Sequence, residues 1–185
     1  YSTMISKLCN FSNRSEFIID VIKNEFIIDP NQQMILLAHN KSLLQYLYDA
    51  ISHRNINSVG FYVGGMKQEA LKESESKKII LATYSMASEG LDIKTLTTLL
   101  LASPKTDIIQ AIGRILRTKH TNPLVIDIVD NHDIFQNQFS KRRQYYNKQK
   151  YSIIRTDNTR YKNNEWEPLL PKGKKKTCLV KSQLL

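Results

Sequence analysis

Gln110, Arg114 and Arg117 follow one another at gaps of four and three residues. That spacing places side chains on a single face of an α-helix, so an amide and two guanidiniums converge on one target. Ile108, Ile112 and Ile115 fall on the opposite face and can anchor the helix against a sheet. Gly113 leaves room beside the arginines for a backbone or a ligand. Two arginines presented this way suit a phosphate that gains negative charge in a transition state, because each guanidinium offers paired N–H donors and a full positive charge. By spacing alone the pattern also fits a salt-bridged surface helix.

A second stretch, Thr83 to Ile93, leaves an apolar run with hydroxyls at Thr83 and Ser85 and then reaches Gly90 and Asp92. Such groups at the C-terminal end of a buried strand are placed to hold phosphates, and ligands of open α/β sheets bind at that edge. An ordinary capped strand-to-helix loop is the alternative from chemistry alone. A third run, Met34 to Ala38, is followed by His39, Asn40 and Lys41; Lys41 also fits a solvated lysine at a helix start. Further on, Arg142 and Arg143 sit among lysines and next to Tyr145 and Tyr146. Cations for phosphates and rings for bases can grip a single strand. The same tyrosines could instead pack this segment onto the domain while its cations stay solvated.

As written, Gln110-Ala111-Ile112-Gly113-Arg114-Ile115-Leu116-Arg117 resembles motif VI of superfamily 2 helicases, Q-x-x-G-R-x-x-R. Thr83 followed by Glu89-Gly90-Leu91-Asp92-Ile93 resembles motif V of the same superfamily, and the run ending in His39 and Lys41 resembles motif IV. The resemblance implies that Arg114 and Arg117 are arginine fingers reaching the ATP held by a first RecA-like domain. It implies that Gln110 and Gly113 lie at the nucleotide, that Gly90 and Asp92 approach its ribose, and that Thr83, Ser85, His39 and Lys41 touch the nucleic-acid backbone. Many relatives carry Arg after the first motif VI residue where this chain has Ala111, so the match is to the Q-x-x-G-R form and not to the DEAD-box form. The segment Val125 to Asp130, then Phe135, Lys141 to Tyr146 and Tyr151, is similar to the end of helicases of the XPB and UvsW type and to the transcript-release helicases of large DNA viruses.

Gly60 and Gly65 have the four-residue gap of a phosphate loop, but Met66 stands where that loop needs Lys. Neither a Walker A sequence nor an acidic D-E-x-x box occurs in these 185 residues. ATP with Mg2+ is therefore expected to bind mainly to a first RecA-like domain outside this stretch, and the fragment alone is expected to be inactive. Tyr1 in the place of an initiating Met fits a piece of a longer protein.

The elements that must position these residues are legible as alternating patterns. Met34 to Ala38, Ile79 to Thr83, Thr97 to Ala102 and Leu124 to Val129 are uninterrupted apolar runs, as in strands covered on both faces of a parallel sheet. Val59 to Val63 reads as another strand, closed by Gly64 and Gly65. Between them Ser42 to His53, Met66 to Glu73 and Asp107 to Arg117 read as helices, with Leu43, Leu44, Leu47 and Ile51 marking one face of the first. Strand–helix alternation predicts an α/β, RecA-like, mainly parallel open sheet flanked by helices on both faces, with a basic C-terminal extension. Asp133 to Lys150 reads as a further helix and Tyr151 to Arg155 as a strand.

The net charge of +10 is unevenly spread. Residues 1–140 hold 14 basic and 14 acidic side chains, whereas residues 141–185 hold 13 basic and 3 acidic ones. The whole excess lies in the last quarter, which suits a polyanion such as nucleic acid, a localisation signal or a solvated tail. The expected divisions are a helicase domain over 1–130, an appended helix and strand over 131–156 and a basic, flexible tail over 157–185. Cys9 and Cys178 form no metal-ligand pattern, and the four histidines are scattered, so no metal site is expected. No apolar run reaches membrane-spanning length, so an intracellular, soluble chain without a membrane partner is expected. Nucleus, viral factory and virion are not separated by this reading.

The sequence thus predicts the C-terminal motor domain of an ATP-dependent helicase or translocase, with DNA favoured over RNA. The expected partners are that nucleic acid and the first RecA-like domain of the same chain. A non-catalytic nucleic-acid-binding or assembly module with a degenerate motor fold is the alternative.

Overall fold

The computed structural model describes residues 2–89, 91–115, 123–169 and 176–184. Two helices, α1 (Ser2–Cys9) and α2 (Ser12–Ile28), precede the first strand, β1 (Met34–Ala38). The chain continues through α3 (Lys41–His53), β2 (Val59–Tyr62), α4 (Gln68–Glu75), β3 (Ile79–Thr83) and α5 (Tyr84–Glu89). It then forms β4 (Thr98–Leu101), α6 (Ile109–Ile115), β5 (Leu124–Val129), α7 (Asp133–Lys148) and β6 (Tyr151–Asp157). Last come α8 (Asn158–Lys162), β7 (Glu167–Pro168) and β8 (Lys176–Leu184).

The strands form one sheet in the order β2-β3-β1-β4-β5-β8-β6-β7. Every pairing is parallel except β6 with β7. The apolar runs map onto β1, β3 and β5 residue for residue, because strands covered on both sides need apolar side chains of either parity.

Parity then decides which helix each strand residue meets. Ile35 and Leu37 of β1, Ile80 and Ala82 of β3 and Leu99 of β4 join one core cluster with Leu71 of α4, Ala87 of α5, Ile112 of α6 and Tyr146 of α7. Their neighbours Leu36, Leu81 and Leu100 join a second cluster with Ile18 and Ile22 of α2 and with Leu43 and Leu47 of α3. Helices therefore cover both faces of the sheet, as a RecA-like α/β fold requires. Ile18, Ile19, Val21 and Ile22 are essentially inaccessible, and each such side chain contributes about 1.5–3 kcal/mol of burial.

The structure adds detail to the sequence reading at four stretches. The stretch after Thr83 enters a helical turn at once, because Tyr84 and Ala87 bury one helical step apart and Ser88 Oγ donates to the Tyr84 carbonyl at 2.9 Å. The helix expected from Met66 starts at Gln68, since Gly65 turns the chain at φ +90° and Met66 packs back on β2 through its sulfur, which accepts from Val63 N. The helix expected over Asp107 to Arg117 is described from Ile109 to Ile115, and Leu116 and Arg117 lie outside the described residues. The described residues from 157 to 184 include α8, β7 and β8. β8 lies between β5 and β6 and pairs with both, so the sheet continues past residue 130. The physical reason is backbone pairing: β8 satisfies the open edges that β5 and β6 would otherwise expose.

Among the described residues no helix is long and apolar enough to cross a membrane, and no group of three or more His, Cys, Asp or Glu could hold a metal ion.

Candidate functional site

β1 lies between β3 and β4, and the helices that follow β1 and β4 lie on opposite faces of the sheet. A crevice opens at the carboxyl ends of strands where the winding reverses in this way. Its backbone is tied across that point: His39 N, just past β1, donates to Ser103 Oγ, just past β4, at 3.0 Å. His39 Nδ1 lies 2.9 Å from the same hydroxyl.

The crevice is a cleft of about 470 Å3 lined by Ala38, His39, Lys41, Gly64, Thr83, Tyr84, Ser85, Ser88 and Lys105. Its lining carries two lysines and four hydroxyl-bearing side chains, and no carboxylate among the described residues. Thr83 and Ser85, two residues apart on the β3–α5 junction, bring their hydroxyl oxygens to 3.1 Å. Lys41 Nζ donates to the Gly64 carbonyl at 3.1 Å, which holds it across the mouth toward the β2–α4 turn. The His39 ring packs on Tyr84 with centroids 4.8 Å apart. Loss of hydration lowers the His39 pKa below 6.5, and the neighbouring Lys105 ammonium lowers it further. The positive charge of the cleft at neutral pH therefore comes from the lysines. A concave, hydroxyl-rich, cationic crevice of this kind can take a phosphodiester backbone. The structure brings Thr83, Ser85, His39 and Lys41 together in this lining.

The helix α6 presents Gln110 and Gly113 to solvent and buries Ala111 and Ile112, and Ile108 is buried just before it. A side chain added at Gly113 would meet none of the described residues within 4 Å. Ala111 is only 4% exposed within the core, which explains the small residue at this position. Arg114 belongs to α6. The side chains of Arg114 and Ile115, and Gly90 and Arg117 altogether, lie outside the described residues. Asp92 is exposed between α5 and β4.

The basic, tyrosine-rich segment is rearranged relative to the sequence expectation. Arg142 is 2% exposed, so it is not available to a nucleic acid. Its Nε and Nη2 donate to Asp127 Oδ2 and Oδ1, each at 2.8 Å, and its Nη1 donates to the Lys105 carbonyl at 2.6 Å. Tyr146 OH adds a bond to Asp127 Oδ2 at 3.0 Å. A carboxylate in the middle of a buried strand must be matched by charge and hydrogen bonds, and Arg142 is that match. Tyr145 packs edge-on against Tyr146 and Tyr151, at 6.3 and 6.4 Å, rather than standing free for a base. Arg143 is half-buried and donates to the Leu169 carbonyl at 3.0 Å.

On the opposite face Arg14 of α2 makes the corresponding pair with Asp130, at 2.6 and 3.0 Å. Sequence reasoning missed both pairs. The available signal was Asp127 itself, a charge inside the run Leu-Val-Ile-Asp-Ile-Val. Arg14 and Asp130 also line a larger cavity of about 860 Å3 between α1, α2, α7 and α8, which contains none of the predicted site residues.

Residues 15–119 match the model of the helicase conserved C-terminal domain. A protein of Acanthamoeba polyphaga mimivirus, named as an ATP-dependent RNA helicase, L396, is 41% identical over 157 residues, covering 82% of this chain and 30% of that protein. A protein of African swine fever virus, named as an ATP-dependent RNA helicase, QP509L, is 25% identical over 190 residues, covering 89% of this chain and 37% of its own length. Among solved structures, T4 UvsW superposes with a TM-score of 0.65 at 21% identity, covering 100% of this chain and 37% of that one. The chain thus spans about a third of the length of each of these proteins.

Proposed function

The chain belongs to the helicase conserved C-terminal domain family, and from that premise we propose that it is the second motor domain of an ATP-driven superfamily 2 helicase or translocase. The cationic cleft at the ends of β1, β3 and β4 carries this reading, because it brings His39, Thr83 and Lys105 from three separate parts of the chain to one crevice. The nucleic-acid backbone lies in that cleft, with Thr83 and Ser85 as donors and Lys41 as a counter-charge.

ATP with Mg2+ binds chiefly on a first RecA-like domain of the full-length protein, where a phosphate loop and an acidic box hold the β- and γ-phosphates. Closure of the two domains brings α6 to the nucleotide. Arg114 and Arg117 then stabilise the charge that develops on the transferred phosphoryl group, while Gln110 and Asp92 contact the nucleotide. Opening after hydrolysis releases these contacts and lets Thr83 and the His39 loop re-engage the strand further along. The names of the mimivirus and African swine fever virus relatives support RNA as the strand, where the sequence alone favours DNA.

The test uses the full-length protein. Arg114→Ala and Arg117→Ala are each expected to abolish ATP hydrolysis while sparing nucleotide binding, and wild-type turnover in either variant overturns the assignment. Stimulation of hydrolysis by single-stranded RNA but not by DNA of the same sequence is the expected substrate preference.

A further inference from the structure

Lys105 lines the cleft yet belongs to none of the three helicase-like runs, and two contacts fix where it sits. Its Nζ lies 5.7 Å from the centroid of the Tyr84 ring, within the range at which a ring face attracts a cation. That ring is itself held, because Tyr84 is 6% exposed and its hydroxyl donates to the Ser103 carbonyl at 2.6 Å. The backbone of Lys105 is held from the other side, where its carbonyl accepts from Arg142 Nη1 at 2.6 Å. Arg142 is in turn clamped by both oxygens of Asp127. A half-buried lysine with a fixed main chain and a ring beneath its ammonium has less conformational entropy to lose on meeting a phosphate than a free surface lysine has.

From this arrangement we infer that Lys105 is a nucleic-acid phosphate contact of the cleft, and that Arg142 is its positioning residue, acting from α7 through the Lys105 carbonyl without touching the strand. The inference rests on the reading of the cleft as the strand site. It gives the appended helix a definite part in strand binding: α7 sets the loop between β4 and α6. The same loop leads directly into the arginine-bearing helix, since Ile109 N, at the start of α6, donates to Asp107 Oδ1 at 3.1 Å. A shift of the cleft lysine and a shift of α6 are therefore shifts of one short segment.

The experiment measures binding of a labelled oligouridylate to the full-length protein over a salt series from about 0.05 to 0.2 M. Lys105→Ala is expected to weaken binding roughly fivefold and to lower the slope of log affinity against log salt by about 0.7, the value for one lost phosphate contact on a single strand. Lys105→Arg is expected to restore both. Arg142→Lys keeps a cation for Asp127 but cannot also reach the Lys105 carbonyl. It is expected to lower the slope by the same amount, and to add nothing further when combined with Lys105→Ala. An unchanged slope in Lys105→Ala, while Lys41→Ala lowers it, overturns this inference and leaves the cleft reading standing. Unchanged affinity in both lysine variants overturns the cleft reading itself. A Tm loss in Arg142→Lys with a wild-type salt slope overturns the positioning role alone.

Discussion

Arg142 on α7 and Asp127 on β5 form a two-point ion pair in which the arginine is 2% exposed and the aspartate is fully buried. Asp130 pairs with Arg14 from α2 on the other face, so β5 and the residue after it are neutralised from both sides of the sheet. Asp127 lies on the parity that faces α7, and Asp130 on the parity that faces α2, which is why two different helices supply the arginines.

Breaking one partner of the Asp127 pair leaves a charge stranded in the core. Arg142→Ala is expected to destabilise the chain by about 3–5 kcal/mol, against about 1 kcal/mol or less for Lys141→Ala on the exposed face of the same helix. Urea unfolding monitored by circular dichroism measures both, and equal midpoints for the two variants reject the energetic role of the pair.

Thr83→Val keeps the shape of a β-branched side chain and removes the hydroxyl that lies 3.1 Å from Ser85 Oγ. Strand affinity of the full-length protein should fall about fivefold, equivalent to about 1 kcal/mol for one hydrogen bond. Fluorescence anisotropy with a labelled single strand reads the change, and wild-type affinity excludes the hydroxyl from the contact.

His39 is held below its ordinary pKa by loss of hydration and by Lys105. With a folded-state pKa below the unfolded 6.5, the unfolded chain takes up the proton first as acid is added. The His39 contribution to stability is therefore complete above pH 6.5 and declines as the pH falls below it toward the folded pKa. Thermal midpoints of wild type and His39→Gln from pH 7.5 to about 5 should converge on the acid side. An imidazole titration by NMR with a midpoint at or above 6.5 is the contrary result.

Ala111 occupies a position where only a small side chain fits, at 4% exposure in the cluster under α6. Ala111→Arg should cost about 2 kcal/mol or more, since it forces both volume and charge into a packed core. The expected readout is a lower unfolding midpoint together with loss of ATP turnover in the full-length protein, because α6 must shift to admit the larger residue.

Ending the chain after Leu169 removes β8 and leaves the facing edges of β5 and β6 without their ladder partner. The shortened chain is expected to melt at least about 5 °C lower and to self-associate through the opened edges. An unchanged midpoint and a monodisperse sedimentation profile argue against β8 as a structural strand.

The sheet was legible in the sequence because strands covered on both faces leave uninterrupted apolar runs, and Met34–Ala38, Ile79–Thr83 and Leu124–Val129 are such runs. The helix α3 was legible for the matching reason: Leu43, Leu44, Leu47 and Ile51 repeat at helical spacing, and all four are buried. The N-terminal helices were passed over, although Phe17, Ile18, Val21 and Ile22 of α2 carry the same periodic signal. For the site, the motif resemblance pointed to Thr83, Ser85, His39 and Lys41 as one group, and these four side chains line one cleft. Residue types in order carry that information because each short motif is local.

What the sequence could not assign was the partner of each charge. Arg142 and Lys41 are both cations, yet one neutralises a core carboxylate and the other stands at the mouth of the cleft. Nothing within a few residues of either distinguishes them, since Asp127 lies fifteen residues from Arg142 and meets it only when α7 folds back over β5. Lys105 owes its place to Tyr84 and Arg142, on two other elements. The sequence by itself determined the strands, the helices and the local motifs, because those depend on periodicity and short-range order. The tertiary structure decided which cations line the cleft and which are paired in the core, because burial and pairing are properties of residues brought together from distant parts of the chain.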